Sequence, residues 1–468
     1  MAIKLMKGRI LKFGVLLSIA FFVWFFSSGI GMNQQQALSA AIFSLSILGT
    51  LFFWDFRLSF AFIGTAILLI TKTTDITHVL EFSSLEVILF LIGMMVIIGR
   101  LKEAGVFAWL VSVILRIPSL TGRRFVFIVA VLSGIFAGLI NEVTSIIFMA
   151  AAVLEVCDYF EVDPVPFVII SVLATNIGSA ATVLGNPIGI LIASKSGLTF
   201  EDFMVKAMPI AVICLLVTVG ICIFWYKKSI ASLSKNIKEL GANEILTKLI
   251  SIPVDRKLKI NIAIFFVTLV FIALHHRIEV LLGLDPNTVL LAVPLISSGL
   301  IMIWKRSKAR KYIEKDVEWW TLLFFILLFV QAGTLKYTGT TVFIANKLIQ
   351  LTGDNLRLLT SLVLWISTIG SSMLDNVVLV AAFIPVLQGF QTLNITTHSL
   401  WWALLFGGCL GGNITLIGST ANIVALGILE KERNIRITFF NWFWIGLSVG
   451  LVTTCIVWII LLFVPIYR

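Results

Sequence analysis

Eleven long apolar runs divide this 468-residue chain, over about 13–31, 37–54, 57–72, 84–101, 165–193, 203–226, 259–275, 287–304, 318–335, 399–428 and 439–464. Apolar segments of this length match a hydrocarbon core of about 30 Å when they are helical. They are too long for the ten-residue alternating strands of a membrane barrel, so the spans are helices. Hydrophobic residues make up 59% of the chain and charged residues 13%. A water-facing surface cannot be built from so few polar groups. Soluble enzyme, secreted disulfide scaffold and disordered tail are excluded, and an all-α polytopic membrane protein is expected, in the inner or plasma membrane with the bilayer as its partner.

The net charge of +11 comes from basic residues lying between the apolar runs, so no nucleic-acid partner is expected. With the N-terminus in the cytoplasm and eleven crossings, 27 of the 35 lysines and arginines fall on the cytoplasmic side and 8 on the other. Positive charge favours the cytoplasm, which supports this orientation and places the C-terminus outside. Residues 1–36 carry Lys4, Lys7, Arg9 and Lys12 before an apolar run, with no small-residue cleavage site. They read as a retained extra helix.

Two more apolar stretches, 124–157 and 357–387, have polar middles. A continuous 34-residue helix would be about 51 Å long, so each stretch is drawn as two short helices meeting at a tip. The tips are Asn141-Glu142-Val143-Thr144 and Asp375-Asn376. Re-entrant and fully crossing hairpins both return to their starting side, so the charge split leaves that choice open. Short segments at 107–117 and 340–351 read as interfacial helices.

Shifting the chain by 234 residues lays Leu85–Gly105 on Trp319–Gly339 with eight identities, Gly99/Gly333 and Lys102/Lys336 among them. The same shift puts Asn141 on Asp375, and a shift of 233 puts Gly178, Thr182 and Gly185 on Gly411, Thr415 and Gly418. The chain divides into an N-terminal helix (1–36), repeat 1 (37–226), a cytoplasmic linker (227–258) read as a solvated connector, and repeat 2 (259–468). Each repeat holds five crossings and a hairpin. Five is odd, so the repeats are inverted, an architecture of alternating-access carriers.

Both repeats contain a long span interrupted by turn formers, 175–187 and 407–422. Non-helical backbone at membrane depth survives only where it lines a cavity or is buried in protein. Its carbonyls suit Na+, and the N-terminus of the following half-helix suits an anion. Asn186 and Ser419 are N-cap residues, and Pro187 suits a first helical position. Close packing of small residues explains an isolated glycine but not two matched clusters. The candidate binding residues are therefore Asn141, Glu142, Thr144, Asn176, Gly178, Thr182, Gly185, Asn186, Pro187, Asp375, Asn376, Gly411, Asn413, Thr415, Gly418, Ser419 and Asn422. Asn176, Thr182, Asn186, Asn413, Thr415 and Ser419 are expected to line a central cavity. Glu142 and Asp375 are the carboxylates placed deep in the membrane, where a charge implies a function or a partner. No lysine or arginine falls in the tips or breaks. The five scattered cysteines read as small core residues with no disulfide or metal spacing.

At these residues the chain resembles the ion transporter superfamily, in the branch with a citrate-transporter-like domain. That branch holds arsenite permeases, NhaD-type sodium/proton antiporters, the P protein and, more distantly, divalent-anion/sodium symporters. The resemblance rests on Asn176-Ile177-Gly178, Gly185-Asn186-Pro187, Asp375-Asn376-Val377, and Gly411–Gly418 with Asn422. Two positions depart from the pattern: Asn141-Glu142 stands where Asp-Asn is usual, and Ile188-Gly189 where Pro-Asn often follows. The resemblance implies that each tip and its facing break form a half-site, with substrate between the two and elevator-like alternating access driven by Na+ or H+.

The expected function is a secondary active transporter of a small anion, a di- or tricarboxylate or an inorganic oxyanion, coupled to Na+ or H+. Arsenite efflux, Na+/H+ antiport and a channel stay open as alternatives. No cofactor or metal beyond the coupling ion is expected. A homodimer and a separate ATPase subunit are left open. No H-E-x-x-H or G-x-S-x-G supports an enzyme.

Overall fold

A computed structural model describes residues 2–53, 56–106, 109, 120–240, 256–352, 355–393 and 395–467, and every regular element among them is helical. The chain opens with α1 (Ala2–Gly29), α2 (Gln34–Phe52), α3 (Arg57–Ile70), α4 (Ile76–Phe82) and α5 (Leu85–Glu103). The first hairpin is α6 (Gly122–Leu139) with α7 (Glu142–Tyr159), and the first broken span is α8 (Val165–Gly178) with α9 (Pro187–Ser196). After them come α10 (Phe200–Trp225) and α11 (Lys227–Leu240). The second half runs through α12 (Arg256–Ala273), α13 (His275–Leu282), α14 (Thr288–Trp304), a short turn at Tyr312–Asp316, α15 (Trp319–Tyr337) and α16 (Thr340–Thr352). It closes with the hairpin α17 (Leu356–Met373) and α18 (Asn376–Thr392), the broken span α19 (His398–Gly411) and α20 (Thr420–Arg433), and α21 (Phe439–Phe463).

The sequence offset reappears in the helix boundaries. Both ends of α15 lie 234 residues beyond those of α5, both ends of α17 lie 234 beyond those of α6, and both ends of α19 lie 233 beyond those of α8. Six described helices are long and apolar enough to cross a bilayer, or eight when each of two sharply bent pairs counts as one span. Fewer helices than apolar runs qualify because several runs are short or broken. α8 has 14 residues and α9 has 10, about 21 and 15 Å of helix, so only the two together reach across. Outward-facing side chains such as Phe25 (66% exposed), Phe224 (75%) and Ile303 (75%) are stable in contact with lipid and not with water.

The linker is only partly as expected. Its first part is the amphipathic α11, not a solvated connector, because Ile230, Leu233 and Ile237 recur on one face and are buried. The hydroxyl of Ser234 accepts from the Gly122 N–H (2.9 Å) and the Asn236 carboxamide donates to the Phe160 carbonyl (2.8 Å), so α11 grips both ends of the first hairpin. Residues 241–255 of the linker, and the expected helix at 107–117 apart from residue 109, lie outside the described residues.

Each hairpin packs on its broken span through a backbone-to-backbone crossing. A Cβ on Gly178 would overlap the carbonyl group of Gly134, and a Cβ on Gly411 would overlap the carbonyl of Thr368, the repeat-related position. These glycines let α6 meet α8, and α17 meet α19, at a distance no side chain permits.

Candidate functional site

Both hairpins turn on a polar residue that caps the returning helix. Asn141 accepts from the Val143 N–H (2.8 Å), and Asp375 accepts from the Val377 N–H (3.1 Å). Their backbones differ. Asp375 has an ordinary φ of −55°, whereas Asn141 sits at φ 144°, a region that residues with a side chain seldom occupy.

Each tip is fastened to the break of its own repeat. The Glu142 N–H donates to the Gly185 carbonyl (2.9 Å), and the Thr420 hydroxyl donates to the Asp375 carboxylate (2.5 Å). Thr182 donates its hydroxyl to the carbonyl of Gly138, and its repeat mate Thr415 donates to that of Ser372. The breaks close on N-caps: Asn186 accepts from the Gly189 N–H (2.8 Å) and Ser419 from the Ala421 N–H (3.1 Å). Gly185 and Gly418 have no room for a side chain, since a Cβ on either would overlap backbone of the same break.

The repeats then meet through side chains. The Asn176 carboxamide donates to the side-chain oxygens of Asn413 and Asn422, both at 2.9 Å, and accepts from the Ser419 hydroxyl at 3.0 Å. Asn422 in turn donates to the carbonyls of Gly412 (2.7 Å) and Thr415 (2.8 Å). Asn186 donates to the Ser179 hydroxyl (2.9 Å) and to the Cys409 sulfur (3.1 Å). The bonds Ser419–Asn176 and Asn186–Cys409 join repeat-related positions, because the 233 offset pairs 186 with 419 and 176 with 409. At the tips, Asn376 reaches both oxygens of Glu142 at 3.4 Å. Residues 142 and 376 are also repeat mates, so this contact lies on the pseudo-twofold axis.

The six residues expected to line a central cavity do not line the space at Glu142. Asn176, Thr182, Asn186, Asn413, Thr415 and Ser419 are buried and bonded to one another or to backbone, because a buried polar group must find a partner. The cavity beside them, about 170 Å³, is lined by Asn141, Glu142, Thr144, Leu184, Pro187 and Thr420 and by charged residues of α5 and the turn before α15. Asp375 faces a different, largely apolar space of about 440 Å³ with Leu374, Val378, Leu416 and Glu430. Glu142 and Asp375 are both buried, and none of the ion pairs among the described residues involves either. The pair has the chemistry to hold a cation or a proton, and the half-helix starts at Pro187 and Thr420 face the space beside Glu142.

Sequence reasoning missed three sets of contacts. Cys409 is a core residue as expected, but it also accepts from Asn186, and the 233 offset that pairs it with Asn176 was the signal. Thr420 and the lysines bordering the cavity, Lys102 and Lys315, carried no local signal.

Asn176 is the hub of the network. Asn176→Ala is expected to cost about 3–9 kcal/mol, since it strands buried groups on Asn413, Asn422 and Ser419 at about 1–3 kcal/mol each. Thermal unfolding of the purified protein in detergent measures this, and an unchanged midpoint would show that the network is not structural.

A model of the citrate transporter family matches residues 50–407. An uncharacterized transporter of Mycobacterium tuberculosis is 31% identical over 351 residues, 74% of this chain and 78% of that one. The P protein of Homo sapiens is 26% identical over 462 residues, 84% of this chain and 55% of that one. Among solved structures, the YdaH transporter of Alcanivorax borkumensis superposes with a TM-score of 0.50 at 14% identity, over 85% of this chain and 88% of that one, a likeness of fold.

Proposed function

The chain belongs to the citrate transporter family (CitMHS), and on that premise we propose that this multi-pass membrane transporter is a secondary active carrier of a small anion, coupled to Na+ or H+. The anion is a di- or tricarboxylate or an inorganic oxyanion. The observation that carries this reading is the meeting of two half-helix starts, Pro187 and Thr420, with Glu142 at one cavity. Each helix start turns its positive dipole end toward an anion, and the tip carboxylates Glu142 and Asp375 serve the coupling cation. The broken spans and hairpins of repeats 37–226 and 259–468 move together against the remaining helices, joined by the linker 227–258. The protein is a carrier and not an enzyme.

The positive-inside charge split supports a cytoplasmic N-terminus, an external C-terminus and a cavity at Glu142 that opens to the cytoplasm through Lys102 and Lys315. The membrane is the inner or plasma membrane. Cysteine labelling that finds the 305–315 loop outside would overturn this orientation.

One observation favours a second reading, Na+/H+ exchange without an anion. Glu142, Asp316 and Glu318 outnumber Lys102 and Lys315 around the cavity. Proteoliposomes offered citrate, succinate, phosphate, arsenite and 22Na+, with and without Na+ and pH gradients, separate the two. Saturable, gradient-dependent citrate, succinate or phosphate uptake is the expected result. Sodium flux with no anion or arsenite moved would replace the anion reading with exchange, and non-saturating flux would indicate a channel.

A further inference from the structure

A second pocket, about 230 Å³, lies between α4, α9, α15 and α18 and does not reach either hairpin tip. Eight of its thirteen lining residues stand 234 positions from a residue lining the cavity at Glu142, which is the repeat offset. Lys336 answers to Lys102, Gly333 to Gly99, Phe82 to Asp316 and Glu81 to Lys315. So large an overlap means that one surface is built twice, once by each repeat.

Local contacts repeat as well. A Cβ on Gly99 would lie 2.8 Å from the Asp316 carboxylate, and one on Gly333 would strike the ring of Phe82, so each glycine makes room for the residue that borders its pocket. The segment before each long helix is pinned at matching places. The rings of His78 and Tyr337 lie 4.1 Å apart, and the Tyr312 hydroxyl donates to Glu103 at 2.6 Å, where 312 and 103 are the repeat mates of 78 and 337. Around this shared plan the charges have drifted: lysine faces glutamate at 315/81, and aspartate faces phenylalanine at 316/82. Lysine at 102/336 is the charge both pockets keep. Both lysines are exposed, and neither is in an ion pair among the described residues, whereas Lys195 in the second pocket is paired with Glu86.

We propose that the two pockets are the inner and outer mouths of one transport path, and that Lys102 and Lys336 are the matched residues that receive the anion on the two sides of the membrane. The proposal rests on the anion reading and on the inversion of the repeats. The inner mouth runs through to Glu142, while the outer one ends at Ala381 and Ile384, short of the tips. Lys102 and Lys336 act by raising the local anion concentration at each mouth. They position substrate and do not hold it during translocation.

Thiol chemistry reads that field without a substrate. Ile147→Cys reports on the inner mouth and Gln388→Cys on the outer, in a Cys455→Ser background, since Cys455 is the native cysteine that is not fully buried. Modification rates are taken at low salt with an anionic sulfonatoethyl and a cationic trimethylammonioethyl methanethiosulfonate. Lys102→Gln is expected to lower the anionic-to-cationic rate ratio about threefold or more at Ile147→Cys and to leave Gln388→Cys unchanged. Lys336→Gln is expected to do the reverse, and Lys→Arg at either site to preserve both ratios. Ratios that ignore the lysines, or one lysine altering both sites, would overturn the proposal. In citrate-uptake assays each Lys→Gln variant should raise KM with kcat kept. If labelling behaves as expected and none of the anions tested is transported, the paired mouths stand and the anion reading falls.

Discussion

Asp375→Asn is expected to abolish transport at every pH, a loss of about a hundredfold or more, whereas Glu142→Gln is expected to leave substrate binding intact and remove the pH dependence. The two carboxylates are set differently. Asp375 caps α18 through the Val377 N–H and accepts a 2.5 Å hydrogen bond from Thr420, the first residue of α20. Its charge therefore ties the second tip to the second break. A neutral amide weakens a charge-assisted bond by roughly 1 kcal/mol and removes the anion that a coupling cation needs. Glu142 caps nothing. It meets Asn376 on the pseudo-twofold axis and faces the cavity, the place for a group that takes up and releases a proton. Uptake rates from acidic to alkaline pH decide both expectations. If Glu142→Gln transports normally with an unchanged pH profile, Glu142 is not the proton carrier.

Gly178→Ala and Gly411→Ala are each expected to cost about 3 kcal/mol or more, at the upper end of what overpacking produces. The reason is what the new methyl would strike. It meets the backbone of Gly134 in one case and of Thr368 in the other, and backbone cannot swing aside as the end of a flexible side chain can. Separating the helices to make room would also pull Thr182 from Gly138 and Thr415 from Ser372. Gly427→Ala is the control. It lies in α20 with nothing within 4 Å of the added Cβ, so its effect should stay within about 1 kcal/mol. Folded yield and unfolding midpoint in detergent measure all three. A wild-type midpoint for Gly178→Ala would mean that the crossing is looser than the geometry implies.

Much of the architecture was legible because its signals are local. The length and polarity of 124–157 and 357–387 dictated hairpins, and α6–α7 and α17–α18 turn at Asn141 and Asp375. Asn186-Pro187 and Ser419 announced helix starts, and α9 and α20 begin there. The linker was misread for a physical reason. Its lysines suggested solvent, but Ile230, Leu233 and Ile237 form a stripe that only helical periodicity reveals.

The candidate site was legible as a set of residues and not as an arrangement. Apolar run length, turn chemistry, charge bias and the 234-residue offset are properties of neighbouring positions or of the chain compared with itself. They determined the helical membrane class, the doubled plan and the two polar breaks. Only the tertiary structure decided which polar groups face one another. Asn176 finds Asn413 and Asn422 across 237 and 246 residues, Asn186 finds Cys409 across 223, and all are removed from the cavity by those bonds. Pro187, Thr420 and Glu142 are left to line it. A buried amide or hydroxyl takes whichever partner packing brings within about 3 Å, and that choice depends on how two distant helices cross, which no local stretch of sequence encodes.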